Sequence, residues 1–508
     1  MTTAAFLGVD IGSSSSKAVL VSPDGTLLAQ VHRDHHLDRP TPGQVEMDAE
    51  VWWTEFTSMT AELSVSDSVE VIAVGVSGMG PCVLLVDDDD VPVRPAILYG
   101  VDSRAQSEID ELSTDLGEAE IVERCGSALS TQAVGPKLAW VARHEPAVFA
   151  RARRLFMPSS WLVRRLTGCY ILDHHSASQS TPLYDSKAGE WFEPWWQKIC
   201  PQLQMPELLW SDRIAGRIST SAAEATGLPR GIPVIAGTID AWAEAVSVGA
   251  LGSGDLMLMY GSTMFLINTV DRPLTAPPLW GTVGVQAGSR SLAAGMATSG
   301  SITSWLRELF GGSEFAQLLA EAGHSPPGAN GLLMLPYFAG ERTPIADPMA
   351  RGLIAGLTLS HTRGDLYRAA LEATALGVRH NVEVMAGSGG RIDRVVAAGG
   401  GTSGGLWTQI VSDVTGLRQE MRTHSIGASY GAAFLAATAV VEPSIDQWNP
   451  LASVVEPDLQ VRAGYDELYR LYGEAHAACV QISHSLARRQ VDSAGAVAQR
   501  STTRGVHR

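Results

Sequence analysis

The chain has 508 residues, of which 45% are hydrophobic and 18% charged, a composition that indicates a folded globular protein and argues against disorder. A formal net charge of −17 argues against a general surface for nucleic acid or anionic membrane, and the sequence lacks an apolar run of about 18 residues that would predict a membrane span. The length exceeds what one hydrophobic core usually supports, so we expect two domains.

The first predicted element is a β-hairpin over residues 6–21, with a turn rich in glycine and serine. Asp10 ends the first strand, Gly12 lets the backbone approach a ligand, and the N–H and hydroxyl groups of the serines can hold phosphate oxygens. A carboxylate binds phosphate only through a cation, so Asp10 predicts magnesium, reached through water. An ordinary hairpin with a small-residue turn is the alternative for this segment taken alone.

The next stretch predicts alternating helices and strands. The pattern indicates a helix over 48–63, strands at 71–76, 83–86 and 96–99, and helical structure over 138–166. Pro158 is expected at the first turn of a new helix. His174 and His175 are adjacent but lack a third ligand at metal spacing, so we interpret them as loop residues.

Asp240 closes a buried segment over residues 233–240 and precedes a predicted helix over 241–248. Because α/β folds display ligand groups where a strand leads into a helix, Asp240 is a candidate general base. The alternative is a helix N-cap that accepts a hydrogen bond from the N–H of Trp242 or Ala243.

The second half repeats the first. Residues 254–268 form another apolar hairpin around the turn at 261–263, and residues 391–401 repeat the strand and small-residue ending of 69–78. Two elements recurring in the same order indicate a duplicated α/β domain with a nucleotide in the cleft between the halves. We place the domains at residues 1–236 and 237–490, followed by a disordered tail over 491–508.

The glycine triplet at residues 399–401 ends a buried strand and allows close approach of a base or phosphate. The helix that follows, over 406–414, has one apolar face. A second helix over 429–437 carries small residues, so we expect an adenine slot between these two helices.

Together these motifs resemble the FGGY carbohydrate kinases, in family order from residue 7 to about 437. The matching motifs lie at residues 8–17, 261–263, 340–344, 347–348, 351–352, 399–401, 407–409 and 413. The resemblance implies two duplicated actin-like, ribonuclease H-like ATPase domains with a nucleotide cleft between them. It also implies ATP and Mg²⁺ as co-substrates and transfer of the γ-phosphate to a sugar or polyol hydroxyl, with Asp240 as the base.

The same motifs assign the predicted site residues. The predicted phosphate-binding residues are Gly12, Ser13, Ser14, Lys17, Gly261, Ser262 and Thr263. The predicted nucleotide-binding residues are Gly300, Gly400, Gly401 and Thr402. The predicted substrate-binding residues are Met79, Gly80, Asp102, Asp240 and Ala241, and the predicted Mg²⁺ ligands are Asp240 and, through water, Asp10.

Within this family the chain resembles the xylulokinases, by residues 136–138 and 343–357. They carry Gln-Met-His-Gly where this chain has residues 79–82, Met-Gly-Pro-Cys, and the missing histidine removes a hydrogen bond to a sugar hydroxyl. We therefore predict a ketose such as D-xylulose and leave another ketose or polyol open, such as ribulose, erythrulose or a glycerol-like compound. An actin-like or heat-shock-like ATPase switch is the rival from another class.

The predicted partner is a small sugar or polyol, with no nucleic acid and no membrane. The five cysteines are scattered without CxxC spacing, which indicates reduced thiols and a cytoplasmic location. The oligomeric state stays open, with a homodimer as one option.

Overall fold

The structure is a computed structural model that describes residues 2–63 and 69–504, with no description of the side chains of residues 491–504. The chain divides into two compact units. The first unit is Met1–Leu256, Ile267–Ala293 and Arg422–Ala452, and the second is Met257–Leu266, Ala294–Met421 and Ser453–Arg508. The predicted domain limits at residues 236 and 490 stay predictions. Of the predicted disordered tail over 491–508, residues 491–504 are described without their side chains, and residues 505–508 lie outside the described chain.

Short strands and helices alternate along the first half of the chain. They are β1 (Thr3–Ile11), β2 (Ser15–Val21), β3 (Leu27–Asp34), β4 (Glu46–Met47), α1 (Ala49–Leu63), β5 (Val69–Gly78), β6 (Leu84–Val86), β7 (Ala96–Ile97), α2 (Gln106–Leu116), α3 (Glu118–Cys125), α4 (Val134–His144), α5 (Pro146–Arg151), β8 (Arg154–Phe156), α6 (Pro158–Thr167), β9 (Ile171–Asp173), α7 (His174–Gln179), β10 (Tyr184–Asp185), β11 (Glu190–Trp191), α8 (Glu193–Ile199), β12 (Glu207–Leu209), β13 (Ile214–Arg217), α9 (Thr220–Thr226), β14 (Pro233–Ile235), β15 (Thr238–Ile239) and α10 (Asp240–Ser247).

The second half continues with strands, helices and two short 3-10 helices at Ala329–Gly331 and Gly400–Thr402. They are β16 (Asp255–Tyr260), β17 (Met264–Val270), β18 (Trp280–Val283), β19 (Arg290–Met296), α11 (Gly300–Leu309), α12 (Phe315–His324), β20 (Leu333–Leu335), β21 (Leu353–Ala355), α13 (Arg363–Gly387), β22 (Arg394–Ala398), α14 (Leu406–Thr415), β23 (Gln419–Arg422), α15 (Ala428–Thr438), α16 (Ile445–Trp448), β24 (Leu451–Val455) and α17 (Arg462–Arg504).

Two seven-stranded sheets organise the chain. The first has the order β13-β14-β5-β1-β2-β3, with β15 also paired to β5, and the second has the order β18-β19-β17-β16-β22-β23-β24. In the first sheet β1, β14 and β15 run parallel to β5, whereas β2 and β3 continue from β1 as an antiparallel meander. The central strand β1 is buried on both faces, while β3 alternates between half-buried and exposed residues, as an edge strand does.

Most local predictions are confirmed. The hairpin over 6–21, the helix over 48–63 and the strands near 71–76 and 83–86 are present. The helical prediction over 138–166 is wrong at Arg154–Phe156, which forms β8 and pairs with β6. Pro158 does begin α6, and a residue that precedes proline favours extended backbone, which explains the break before that helix.

The two faces of the first sheet have different partners. Leu7, Val9 and Ile11 of β1 belong to the core cluster formed with α1, α6 and α9. Gly8 faces the other way, toward α15. Since successive side chains of a strand alternate between faces, Asp10 shares the α15 face with Gly8.

Glycines let α15 approach its neighbours closely. A Cβ at Gly8 would lie 1.9 Å from the carbonyl oxygen of Ser429, and one at Gly75 would lie 1.9 Å from that of Ala432. On its other side, a Cβ at Gly431 of α15 would lie 1.8 Å from the carbonyl oxygen of Ala243 in α10. Backbone contact through these glycines therefore fixes α10, and Asp240 at its start, against the sheet.

In residues 2–63 and 69–504, no helix combines the length and the apolar composition that crossing a bilayer requires.

We expect Gly75→Ala to destabilise the protein by about 3 kcal/mol or more, because the new methyl group would overlap backbone that cannot move aside. Thermal or denaturant unfolding measures the change. Gly323→Ala is the matched control, since Gly323 lies in α12 with no heavy atom within 4 Å of its added Cβ. A Gly75→Ala protein as stable as the control would contradict the proposed packing.

Candidate active site

Strand register gathers the candidate catalytic residues of the first unit. Asp10 pairs with Ser77, and Thr238 pairs with Ser77 from the other side of β5. The three parallel strands therefore end side by side, and Asp240 follows β15 directly as the first residue of α10. The Ser77 hydroxyl donates to Asp10 Oδ1 at 2.8 Å. Carboxylates that are far apart in sequence thus meet at one edge of the sheet.

Both aspartates have raised pKa values. Burial raises the pKa of Asp10 to about 6, although the Ser77 hydrogen bond and the positive charge of Lys17 act to lower it. Burial, followed by the negative charge of Asp10, raises the pKa of Asp240 to about 7. A carboxylate with a pKa near neutrality accepts a proton much more readily than a free aspartate, whose pKa is about 3.9.

The helix-cap alternative for Asp240 is wrong in its geometry. Asp240 is the first helical residue, and Ile239 occupies the N-cap position without a side-chain cap. The hydrogen bond that Oδ1 accepts comes from the adjacent Ala241 N–H, at 2.7 Å, and not from a residue deeper in the first turn as an N-cap would require. The predicted substrate residue Ala241 thus holds the carboxylate through its backbone.

Glu244 is a third carboxyl group of this cluster, and no sequence motif pointed to it. It lies one helical turn after Asp240 and is buried. Burial and the charge of Asp10 raise its pKa to about 7, while Lys17 opposes the shift. The spacing of four residues from Asp240 is the signal that could have identified it.

The first predicted phosphate-binding turn joins β1 and β2. Gly12 N–H donates to the carbonyl of Ser15 at 3.0 Å, and a Cβ at Gly12 would lie 2.9 Å from that oxygen. Ser13 and Ser14 form the tip, and Ser14 is exposed. Lys17 lies opposite Asp10 in the hairpin, and its Nζ donates to the carbonyl of Ile426 at 2.9 Å.

The second turn, between β16 and β17, belongs to the second unit. Gly261 N–H donates to the Thr263 carbonyl at 3.2 Å. The N–H of Gly300 at the start of α11 donates to the Gly261 carbonyl at 3.0 Å, and a Cβ at Gly300 would lie 2.6 Å from that oxygen. N–H groups of Ser299 and Ser301 both donate to the Ser262 carbonyl at 3.0 Å. Backbone hydrogen bonds therefore join the predicted residues at 261–263 to Gly300 at the start of α11.

A cavity of about 560 Å³ opens in the second unit beside this turn. The predicted residues that line it are Gly261, Ser262, Gly300, Gly400 and Gly401. The apolar and aromatic residues that complete the lining were not predicted from sequence, and include Phe315, Leu319, Tyr367, Leu371 and Trp407. Its volume and mixed lining are those of a site for a small organic ligand.

Glycines and aromatic rings shape the wall of this cavity. Gly399 has a φ of 88° and would place a Cβ 2.6 Å from the Tyr260 carbonyl. Tyr260 and Trp407 pack edge to face at 5.3 Å, and Trp407 Nε1 donates to Thr374 at 2.9 Å. Thr402 Oγ1 donates to the Gly399 carbonyl at 2.9 Å and so closes the turn.

The two helices of the predicted adenine slot belong to different units, and the slot stays a prediction. Helix α14 contributes Trp407 to the cavity, but the small residues of 429–437 pack in α15 against β1, β5 and α10 of the first unit. The small side chains serve close helix packing there, because the backbone of α15 touches those elements directly.

The predicted sugar residues occupy two environments. Met79 is buried with its N–H donating to the Ile11 carbonyl at 2.7 Å, and Gly80 would place a Cβ 2.8 Å from Ile239. These residues thus adjoin the strand ends that carry the aspartates. Asp102 instead has its side chain fully buried in an ion pair with Arg104, at 2.7 Å, and its Oδ2 accepts from Val45 N–H at 2.6 Å.

Two further buried residues, Lys137 and His175, support the first unit. Lys137 donates through Nζ to the Thr131 carbonyl at 2.7 Å, and burial lowers its pKa to about 8. His174 and His175 are not in a loop as predicted but begin α7. His175 Nδ1 donates to the Val283 carbonyl at 2.7 Å. The centroid of its ring lies 3.8 Å from that of Trp242 in α10, with the two rings tilted by 33°, so His175 packs against α10.

The donor set at the strand ends fits magnesium. Asp10 and Asp240 offer hard oxygen ligands, and the charge of Asp10 raises the pKa of Asp240, a repulsion that a divalent cation would offset. Within residues 2–63 and 69–504, no group of three or more His, Cys, Asp or Glu side chains is arranged to hold a metal. A cation here would take its remaining ligands from water and phosphate, as magnesium commonly does.

Comparison with known proteins points to one family over most of the chain. The N-terminal domain of the FGGY family of carbohydrate kinases matches residues 5–247, and its C-terminal domain matches residues 256–440. The xylulose kinase of Escherichia coli is 29% identical over 89% of this chain and 92% of its own length. The glycerol kinase of Nocardia farcinica is 30% identical over 85% of this chain and 89% of its own length.

Solved structures agree with this assignment. The crystal structure of xylulose kinase from Rhodospirillum rubrum matches with a TM-score of 0.88 and 32% identity, over 94% of this chain and 100% of that chain. The predicted α/β fold of two actin-like domains is thereby confirmed.

We expect Asp240→Asn to raise the thermal midpoint of the ligand-free protein by about 2–4 °C at pH 8. The pKa of Asp240 is about 7 in the folded protein, above its ordinary value, so the ionised carboxylate destabilises the fold most above pH 7. That penalty shrinks as pH falls, so the gain should be smaller at pH 5. Asp271→Asn, at an exposed position, is the control, and an equal or absent gain at both pH values would contradict the expectation.

Proposed function

The chain belongs to the FGGY family of carbohydrate kinases, and on that premise we propose that it transfers the γ-phosphate of ATP to a hydroxyl of D-xylulose with Asp240 as the general base. The observation that carries this proposal is the position of Asp10 and Asp240 at the ends of β1 and β15, the two strands that flank β5, with the pKa of Asp240 raised to about 7. An unpaired aspartate at the surface would be too weak a base at neutral pH.

The proposed reaction is an in-line phosphoryl transfer. The sugar oxygen bonds to the γ-phosphorus, the bond from that phosphorus to the β–γ bridging oxygen breaks, and ADP leaves. The hydroxyl proton passes to the Asp240 carboxylate, which the Ala241 N–H holds in place. Magnesium, bound by Asp240 and through water by Asp10, would neutralise charge on the phosphates.

We assign the cavity of the second unit to the nucleotide. Phe315, Leu319 and Tyr367 supply apolar surface for a purine, and the turn at residues 261–263 supplies backbone for phosphates. The turn at Gly12, Ser13 and Ser14 is the proposed phosphate site of the first unit, with Lys17 nearby as a cation. Thr263 and Thr402 act in this proposal by closing their turns.

The sugar is the less constrained part of the proposal. Relatives named xylulose kinase support a ketose, whereas a relative named glycerol kinase at 30% identity supports a polyol as the second candidate. Met79 and Gly80 offer no side-chain hydrogen bond to a hydroxyl, so Asp240 and backbone groups would carry much of the recognition. A role for Asp102 would require sharing its carboxylate between Arg104 and the sugar.

We further propose that the protein is cytoplasmic. The described cysteines are free thiols, which agrees with a reducing, cytoplasmic location. The homodimer stays a prediction.

We expect Asp240→Asn to lower the rate of sugar-dependent ADP release by about 10²–10⁴-fold while ADP still binds. For the unaltered protein, kcat/KM should rise with pH through about 7, because the base must be ionised. A coupled ADP-release assay over ketoses, aldoses and polyols measures both the rate and the preferred substrate. Near-normal turnover by Asp240→Asn would remove this residue from the mechanism, whereas Asp271→Asn should behave as the unaltered protein.

We expect Gly400→Leu to weaken ADP binding by about tenfold or more without lowering the thermal midpoint. Gly400 lines the cavity, and a Cβ there has no heavy atom within 4 Å, so the side chain would fill ligand space without straining the ligand-free protein. Calorimetric titration with ADP measures the affinity. Gly473→Leu, also with open space around its Cβ but outside the cavity lining, is the control. Unchanged ADP affinity would contradict the placement of the nucleotide.

A further inference from the structure

A histidine and a glutamate hold the first phosphate turn from the face of the sheet opposite the catalytic carboxylates. His35 follows β3, and its Nε2 lies 3.0 Å from the Gly12 carbonyl oxygen. Its backbone N–H donates to the Ser14 carbonyl at 3.0 Å. Glu55 of α1 lies 3.0 Å from His35 Nδ1 and accepts from the Ser16 hydroxyl at 2.5 Å. His35 and Glu55 therefore contact Gly12, Ser14 and Ser16, which alternate along the turn.

The hydrogen-bond partners of the His35 imidazole require that it be positively charged. A carbonyl oxygen and a carboxylate oxygen are both acceptors, so each ring nitrogen of His35 satisfies its contact only by donating a proton. An imidazole with two N–H donors is the positively charged form. The side chains of His35 and Glu55 are 5% and 12% exposed, so water offers little alternative to these bonds.

The protonation equilibrium agrees with this geometry. Burial by itself would lower the pKa of His35, but the hydrogen bond and charge of Glu55, with the Gly12 carbonyl, raise the pKa above its ordinary value. The other charged side chain that shares this face of β3 is Arg33, which pairs with Glu62 of α1 at 2.5 Å. Lys17 and Asp10 lie on the opposite face, by the alternation of β1 and β2.

The orientation of the turn follows from these bonds. In a trans peptide the C=O and the following N–H point in opposite directions. Because the carbonyls of Gly12 and Ser14 point toward His35, the N–H groups of Ser13 and Ser15 point away from it. These N–H groups belong to the turn that the proposed function assigns to phosphate.

We propose that His35 and Glu55 are positioning residues that direct the Ser13 and Ser15 N–H groups toward the nucleotide phosphates, so that triphosphate affinity depends on the proton carried by His35. This inference rests on the proposed function, because it assumes that the turn binds phosphate. When His35 loses its proton, one ring nitrogen can no longer donate. Either the hydrogen bond to the Gly12 carbonyl or the one to the Glu55 carboxylate is then lost. Affinity should therefore be full at low pH and decline as pH rises through the raised pKa of His35. This direction is opposite to the one expected for Asp240.

Calorimetric titration with magnesium and adenylyl imidodiphosphate, a triphosphate analogue that resists transfer, tests the proposal at several pH values from 6 to 9. For the unaltered protein we expect affinity to fall about tenfold across this range, because the free energy of a hydrogen bond to a charged group corresponds to a change in affinity of about that size. His35→Gln should bind more weakly at low pH and lose this decline, because its amide can donate to Gly12 but cannot titrate. Glu55→Gln should move the decline to lower pH.

Matched controls separate the possible results. His36→Gln, at an exposed neighbouring position, should keep the pH dependence of the unaltered protein. Adenosine lacks phosphates, so its affinity should not change with His35→Gln. An NMR titration of the imidazole measures the His35 pKa directly, and Glu55→Gln should lower it even if nucleotide affinity is weak.

Three results would overturn the proposal. The first is an unchanged pH dependence in His35→Gln, with a thermal midpoint that shows a folded protein. The second is a His35 pKa at or below the ordinary value of about 6.5 in the unaltered protein. Failure of the unaltered protein to bind the analogue at any pH would contradict the proposed function itself and this inference with it, whereas the first two results contradict the inference alone.

Discussion

Parallel hydrogen bonding of β1 and β15 to the two edges of β5 is the constraint on which the chemistry of the first unit depends. The register places Asp10, Ser77 and Thr238 in one row and lets Asp240 begin α10 at the same edge. A shift of one residue in β1 would turn Asp10 into the core on the α1 face and bring an apolar side chain to the site. Close contact of α15 with Gly8, Gly75 and α10 holds this register from the other side of the sheet.

The same arrangement concentrates negative charge. Asp10, Asp240 and Glu244 are carboxyl groups with raised pKa values, and Lys17 is the cation that lowers those of Asp10 and Glu244. Such a cluster destabilises the ligand-free fold, but it gives the proposed base Asp240 a pKa of about 7 and offers hard oxygen ligands to a divalent cation. The fold separates this cluster from the His35–Glu55 pair by placing the two groups on opposite faces of the hairpin.

The second unit meets a different requirement. Glycines leave the backbone around its cavity open to a ligand. Aromatic rings that are held by hydrogen bonds form the walls of the cavity. Gly300 and Gly399 allow contacts that a methyl group would block, while Tyr260 and Trp407 are anchored by hydrogen bonds to Gln419 and Thr374. A rigid cavity of this kind lowers the entropy lost when a ligand binds.

The sequence by itself determined the two hairpin turns, the aspartates at the ends of apolar strands, the duplicated α/β architecture and the family. These features depend on neighbours within a few residues and on their recurrence along the chain, so a local pattern is enough to reveal them. The tertiary structure decided which polar groups meet. Burial and the charge of Asp10 raise the pKa of Glu244, and the Asp102 carboxylate pairs with Arg104. Helix α15 packs against the sheet of the first unit, and Phe315 and Tyr367 line a cavity with Gly400. Burial, charge and pKa depend on segments that strand register and helix packing bring together from distant parts of the chain, and no short pattern encodes those distances.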